Sequence, residues 1–115
     1  MINFFERLKL RTVWSWNGII DAWHNEYSFR SWVGVNVISA GLAFWLLEVA
    51  ELALILALGI ALLGMELINA AIERVVDLVT TEHHDLAGRA KDAGSASVAI
   101  VAVAGGVAWL TVLIT

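Results

Sequence analysis

The feature that most constrains this chain is a run of 22 residues, Ala93 to Ile114, without a single charge. A helix of that length reaches about 33 Å, enough to cross roughly 30 Å of bilayer hydrocarbon. Two further apolar runs precede it. Trp32 to Leu47 reads WVGVNVISAGLAFWLL, with Asn36 as its only strongly polar side chain and tryptophans near both ends, where interfacial anchors sit. Leu52 to Met65, LALILALGIALLGM, is too short to cross alone, since a span takes about 20 residues. Helix must therefore continue through Glu66 to about residue 70, and the pattern predicts it onward to about residue 79. No proline interrupts any of these runs. With 60% apolar and only 16% charged residues, no soluble core is left to build. The expectation is one all-α membrane domain over residues 1–115, with spans at about 32–47, 52–70 and 93–114.

Residues 2 to 24 carry a different pattern. At 100° per residue Ile2, Phe5, Leu8, Val13, Trp16, Ile19, Ile20 and Trp23 share one arc, opposite Asn3, Glu6, Arg7, Asn17, Asp21 and His24. That is an amphipathic helix suited to lie in the headgroup region. The stretch lacks the short apolar core and small-residue cleavage site of a signal peptide. All 7 basic residues lie either before the first span (Arg7, Lys9, Arg11, Arg30) or between the second and third (Arg74, Arg89, Lys91). By the positive-inside rule the N-terminus and the 74–92 region face the cytoplasm, and the C-terminus lies outside. A net charge of −4 gives no hint of nucleic-acid binding, and the absence of cysteine excludes disulfides and thiolate metal sites.

Chemistry concentrates between Gly64 and Asp92. Glu66, Asn69, Glu73 and Asp77 sit at relative angles of roughly 0°, −60°, −20° and +20°, one stripe on one helical face. Glu66 is flanked by Leu63, Met65, Leu67 and Ile68, and intramembrane ionisable residues point first to function. Removing a carboxylate from water suits it to act as a general base on a poorly acidic alcohol. Glu73 and Asp77 continue the stripe outward, and Glu26, joining the surface helix to the first span, could approach Glu73. Magnesium is usually held by one or two carboxylates together with substrate phosphates. Residues 80–92 read as a polar loop. In it Lys91 is a candidate for phosphate charge, with Arg89 and Asp92 beside it. His83 and His84 adjoin Glu82 and Asp85, but adjacent residues rarely point at one ion, so they do not suggest a transition-metal site. No glycine-rich phosphate loop occurs, so phosphate chemistry would rest on side chains and magnesium.

Several segments then match a known pattern. Glu66-Leu-Ile-Asn69-Ala-Ala-Ile-Glu73 and Gly88-Arg-Ala-Lys91-Asp92-Ala-Gly94-Ser95-Ala strongly resemble the small bacterial integral-membrane diacylglycerol kinase family. Trp14-Ser15-Trp16-x-Gly18 and Asn25-Glu26-x-x-Phe29-Arg30 fit its N-terminal pattern in the same order, so the resemblance covers essentially the whole chain. It implies a homotrimer of three-span subunits in the bacterial cytoplasmic (inner) membrane, with active sites shared between neighbours. The implied reaction transfers the γ-phosphoryl of MgATP to the hydroxyl of diacylglycerol, giving phosphatidic acid. On the matching positions Glu66 looks like the general base, and Glu26 and Glu73 like the Mg2+ ligands. Arg7, Trp14, Lys91 and Asp92 look like nucleotide contacts, with Glu82, His83 and His84 beside the adenine. Trp16, Trp23, Arg30 and Ser95 resemble the lipid-contacting set, while Asn69 and Asp77 support the site. The chain departs from the pattern at Trp14 and His83, where the family commonly has tyrosine, and at Asp85, where it has glutamate.

A sister branch that phosphorylates undecaprenol shares the Glu and Lys-Asp signatures. The Lys-Asp-x-Gly-Ser-Ala run favours diacylglycerol over that branch. A non-enzymatic reading, a small proton- or cation-conducting oligomer, needs polar groups along the full depth of a span, whereas this stripe stops at Glu66. A purely structural membrane-surface protein leaves the stripe without a purpose.

Overall fold

Four helices account for almost all of the chain in a computed structural model that describes residues 1–115. Helix α1 covers Phe4–Asn25, α2 Tyr27–Leu46, α3 Val49–Val79 and α4 Asp85–Ile114. Helix α1 starts at a side-chain cap: Asn3 Oδ1 accepts the Glu6 N–H at 2.8 Å, satisfying one of the free donors of the first turn. It ends at Glu26, one extended residue (φ −115°, ψ 103°) that also opens α2. A single-residue joint lets the chain turn without exposing a length of unpaired backbone. Helices α2, α3 and α4 are each long and apolar enough to cross a membrane. At 31 residues α3 is about 46 Å long, well beyond the hydrocarbon thickness, so its charged end extends past the apolar layer.

Helix α4 begins earlier than the apolar run suggested. Residues 85–92, expected in a polar loop, form its first two turns, and only Thr80 to His84 separate it from α3. The local chemistry explains this. His84 Nδ1 accepts the Leu86 N–H at 3.1 Å as a cap, and Asp85 places negative charge at the positive end of the helix dipole. Arg89 lies 3.9 Å from Asp85 one turn on, and nothing in Leu86-Ala-Gly-Arg-Ala-Lys breaks a helix. Arg89, Lys91 and Asp92 therefore project from a rigid element.

Helix α3 is the centre of the packing, with α4 along one side and α2 along another. A small core of Ala43, Ile55 and Ala108 is flanked by Leu47, Leu52, Leu58 and Trp109. Small side chains at two of those three core positions let the helices approach closely, which is what holds helices together in lipid. Helices α2 and α4 do not touch backbone to backbone; Trp109 Nε1 reaches across to donate to Ser39 Oγ at 2.9 Å. Asn36, the one amide of α2's apolar run, donates from Nδ2 to the Trp32 carbonyl at 2.9 Å. Its Oδ1 presses on Gly59 of α3, where any Cβ would collide with it.

Only 11 of 115 residues are buried, and Val37, Ile38, Phe44, Trp45, Ile60, Ile100 and Val103 are all exposed. An apolar surface that wide requires lipid or further subunits against it. The extents of 48 × 43 × 22 Å add one point. Three helices side by side at 8–10 Å spacing reach only about 30 Å across, so α1 projects sideways from them.

Candidate active site

Glu66 and Asn69 are the two buried polar residues of the chain, at 5% and 8% exposure. Both lie on α3 where it passes the start of α2 and the start of α4's apolar run. Glu66 Oε1 accepts the hydroxyl of Ser28, in the first turn of α2, at 2.5 Å. No other group bonds to the Glu66 side chain. Asn69 Oδ1 has no hydrogen-bond partner and is sealed against Gly94 of α4. A Cβ at Gly94 would sit 2.5 Å from that oxygen and 3.5 Å from Ile72 Cδ1, so any larger residue would have to displace the Asn69 amide or α4 itself.

Outward along α3, partners become charged. Arg74 donates to Asp21 of α1 and, at 3.0 Å, to Glu26 at the α1–α2 joint. One guanidinium thereby ties three elements together. Its donation to Asp21, helped by the Asn25 amide, holds the Asp21 carboxyl below its ordinary value of 3.8. Asp77 accepts from Lys91 Nζ of α4 at 2.7 Å. Both clusters are open to solvent, the Asp77 side chain being 53% exposed, so they are surface pairs of small energetic weight.

Beyond Lys91 and Asp77 lies a polar cavity of about 290 Å³, lined also by Thr80, Glu82, His83, His84 and Gly88. Here the short α3–α4 connection brings the predicted nucleotide residues Glu82, His83, His84 and Lys91 together. The remaining candidates are scattered. Arg7, Trp14, Trp16 and Trp23 are exposed along α1, and Asp92 and Ser95 are exposed on α4. None of these side chains makes a hydrogen bond or ion pair within the chain. Arg30 turns back on α1, donating to the carbonyls of Trp23 at 2.5 Å and His24 at 3.2 Å, so it satisfies the open end of that helix.

No group of three or more potential ligands that could hold a metal ion occurs in the chain. Magnesium does not require one, because substrate phosphates and water complete its shell around one or two carboxylates. Glu26 and Glu73 are hard oxygen donors, each only partly covered, and so are of the right kind.

Ser28 and the Asp21–Arg74 pair are site components that motif reading does not reveal. A serine in the first turn of a helix carries no signal of its own, and Arg74 passes as one more basic residue flanking a span. A helical projection does place Asp21 on the polar face of α1, which is a hint of its partner but no more.

Comparison with known proteins then places the chain. The family model described as prokaryotic diacylglycerol kinase matches residues 13–113. The diacylglycerol kinase of Escherichia coli (strain K12) is 39% identical over 111 residues, covering 95% of this chain and 90% of its own length. That of Haemophilus influenzae is 40% identical over 99 residues, covering 85% and 84%. The undecaprenol kinase of Bacillus subtilis is 35% identical over 78 residues, covering 68% of this chain and 63% of its own length.

Proposed function

Because the chain belongs to the prokaryotic diacylglycerol kinase family, we propose that it transfers the γ-phosphoryl of ATP to the free hydroxyl of diacylglycerol. The product is phosphatidic acid. The observation that carries the reading is Glu66, a carboxylate buried at 5% exposure with only a neutral hydroxyl as partner. With one oxygen held by that hydroxyl and no cation paired to it, the other oxygen is free to face an acceptor hydroxyl. As the lipid oxygen bonds to Pγ, its proton passes to Glu66, the bond from Pγ to the β,γ-bridging oxygen breaks, and ADP leaves. Catalysis of this kind rests on positioning and charge stabilisation.

Lys91 supplies positive charge to the phosphates, and Asp77 holds its ammonium in place until they arrive. Glu82, His83 and His84 line the cavity assigned to the adenine, with Arg7, Trp14 and Asp92 completing the nucleotide contacts. Glu26 and Glu73 would hold Mg2+, which when bound neutralises the charge on the transferring phosphates. Arg74 keeps Asp21 as a second partner, so releasing Glu26 to another task does not strand the guanidinium. Trp16, Trp23, Arg30 and Ser95 face the lipid. Asn69 supports the site by seating Gly94 close to α3.

The reading further has α1 lying in the headgroup layer of the bacterial inner membrane, the N-terminus cytoplasmic and the C-terminus outside. Three subunits share their sites. In support, Arg7, Trp14 and Asp92 have no partner within the subunit, and the apolar faces of α2 and α4 are largely uncovered. Undecaprenol is the second acceptor to consider, since the Bacillus subtilis relative bears that name. The test supplies purified protein in mixed micelles with MgATP and either diacylglycerol or undecaprenol. Transfer to diacylglycerol is the expected result. Preference for the prenol reassigns the acceptor, and transfer to neither ends the kinase reading.

A further inference from the structure

Glu66 carries two oxygens, and the fold treats them differently. Oε1 accepts the Ser28 hydroxyl at 2.5 Å. Oε2 has no partner, yet it is not enclosed: Asn69 Oδ1 is the one side-chain oxygen or nitrogen that is both sealed from solvent and unbonded. The carboxylate is therefore anchored at one end and open at the other. Its anchor comes from α2, two residues beyond the Glu26 joint, and not from α3 itself.

We infer that Ser28 is a positioning residue for the reaction, fixing the Glu66 carboxylate through Oε1 so that Oε2 is presented to the acceptor hydroxyl. The inference rests on Glu66 being the base. Three physical points support it. A glutamate side chain has three rotatable bonds and, buried without a partner, would have no unique orientation. A hydroxyl donor to an ionised acceptor is among the stronger neutral-to-charged contacts, and it restricts those rotations. An arginine or lysine in the same place would hold the group as firmly but would compete for the proton-accepting charge. A hydroxyl orients the base without neutralising it. The same contact couples the base to the α1–α2 joint, so the two carboxylates Glu26 and Glu66 are set by one short stretch of α2.

The experiment compares Ser28→Ala and Ser28→Thr with the unaltered protein in mixed micelles containing diacylglycerol and MgATP. Ser28→Ala should lower kcat by on the order of ten- to a hundredfold, the scale of a misplaced catalytic group. KM for both substrates should stay within about twofold, since neither contacts Ser28 through the lost hydrogen bond. Ser28→Thr, which keeps the hydroxyl, should restore most of kcat. Near-normal kcat in Ser28→Ala overturns the inference, and so does an equal loss in Ala and Thr, which would mark packing and not the hydroxyl. A phosphate found on Ser28 by mass spectrometry after incubation with MgATP alone also overturns it, because the hydroxyl would then be an acceptor. Glu66→Gln run alongside separates the two levels: if that variant stays active, the base assignment fails, whereas an inactive Glu66→Gln beside a normal Ser28→Ala sinks the Ser28 role alone.

Discussion

Glu66 and Asp77 lie on one face of α3, about three turns apart, and their partners differ in kind. Glu66 is 5% exposed and takes a serine hydroxyl; the Asp77 side chain is 53% exposed and takes the Lys91 ammonium. Desolvation accounts for the difference. Burying a cation beside Glu66 would add a second dehydration cost that a neutral hydroxyl does not carry. At Asp77 water screens both groups, so pairing costs little and contributes little. The inner end of the stripe holds a carboxylate without an ionic partner, while the outer end pairs charges and ties helices together.

Perturbations can be ranked by how directly they attack that contrast. Glu66→Gln keeps the shape and the Ser28 contact but removes the proton acceptor. Turnover should fall by about 10²–10⁴-fold, the usual worth of a general base, with nucleotide affinity nearly unchanged. Steady-state kinetics with a nucleotide-binding titration checks both halves. Lys91→Ala removes charge stabilisation at the outer end. It should cost about a hundredfold in kcat/KM and, unlike the first variant, raise KM for ATP.

Gly94→Ala leaves every charge in place and forces a Cβ to within 2.5 Å of Asn69 Oδ1. Overpacking of that kind destabilises by about 1–3 kcal/mol, to be read as a lower unfolding midpoint in detergent. Arg74→Ala dissolves the tie between α1, the joint and α3. Proteolysis of α1 should speed up while kcat drops by only about two- to fivefold, since no reacting group is lost. The smallest effect is a pH dependence. Asp21 is held below 3.8 in the folded chain by Arg74, so its contribution is fully present above that value and is lost as pH falls through the lower, folded one. Acid titration of α1 protection should show this loss in the unaltered protein and not in Asp21→Asn.

Helices and the polar stripe were legible in the sequence because their periods survive in one dimension. Apolar run length gave three spans, and 100° spacing put Glu66, Asn69, Glu73 and Asp77 on one face. The start of α4 was not legible. Charge around Arg89 and Lys91 reads as loop when hydropathy is the guide, yet a capping histidine and an i, i+4 pair carry helix through it. Ser28 was hidden for another reason: its partner is 38 positions away, and no local pattern marks a hydroxyl that meets a carboxylate across two helices. Arg74 was hidden because the topology rule accounts for its charge before its partners are considered.

The two asparagine–glycine contacts, Asn36 on Gly59 and Asn69 on Gly94, have a consequence for how the helices choose one alignment. In lipid, leucine against leucine is worth nearly the same after a slide of one turn as before it. An amide seated where only glycine fits is not, because the next turn offers it a side chain to collide with. Gly59 thus sets the register of α2 on α3, and Gly94 that of α4 on α3. Two residues without side chains set two depths: Gly59 that at which Ser28 meets Glu66, and Gly94 that at which Lys91 meets Asp77.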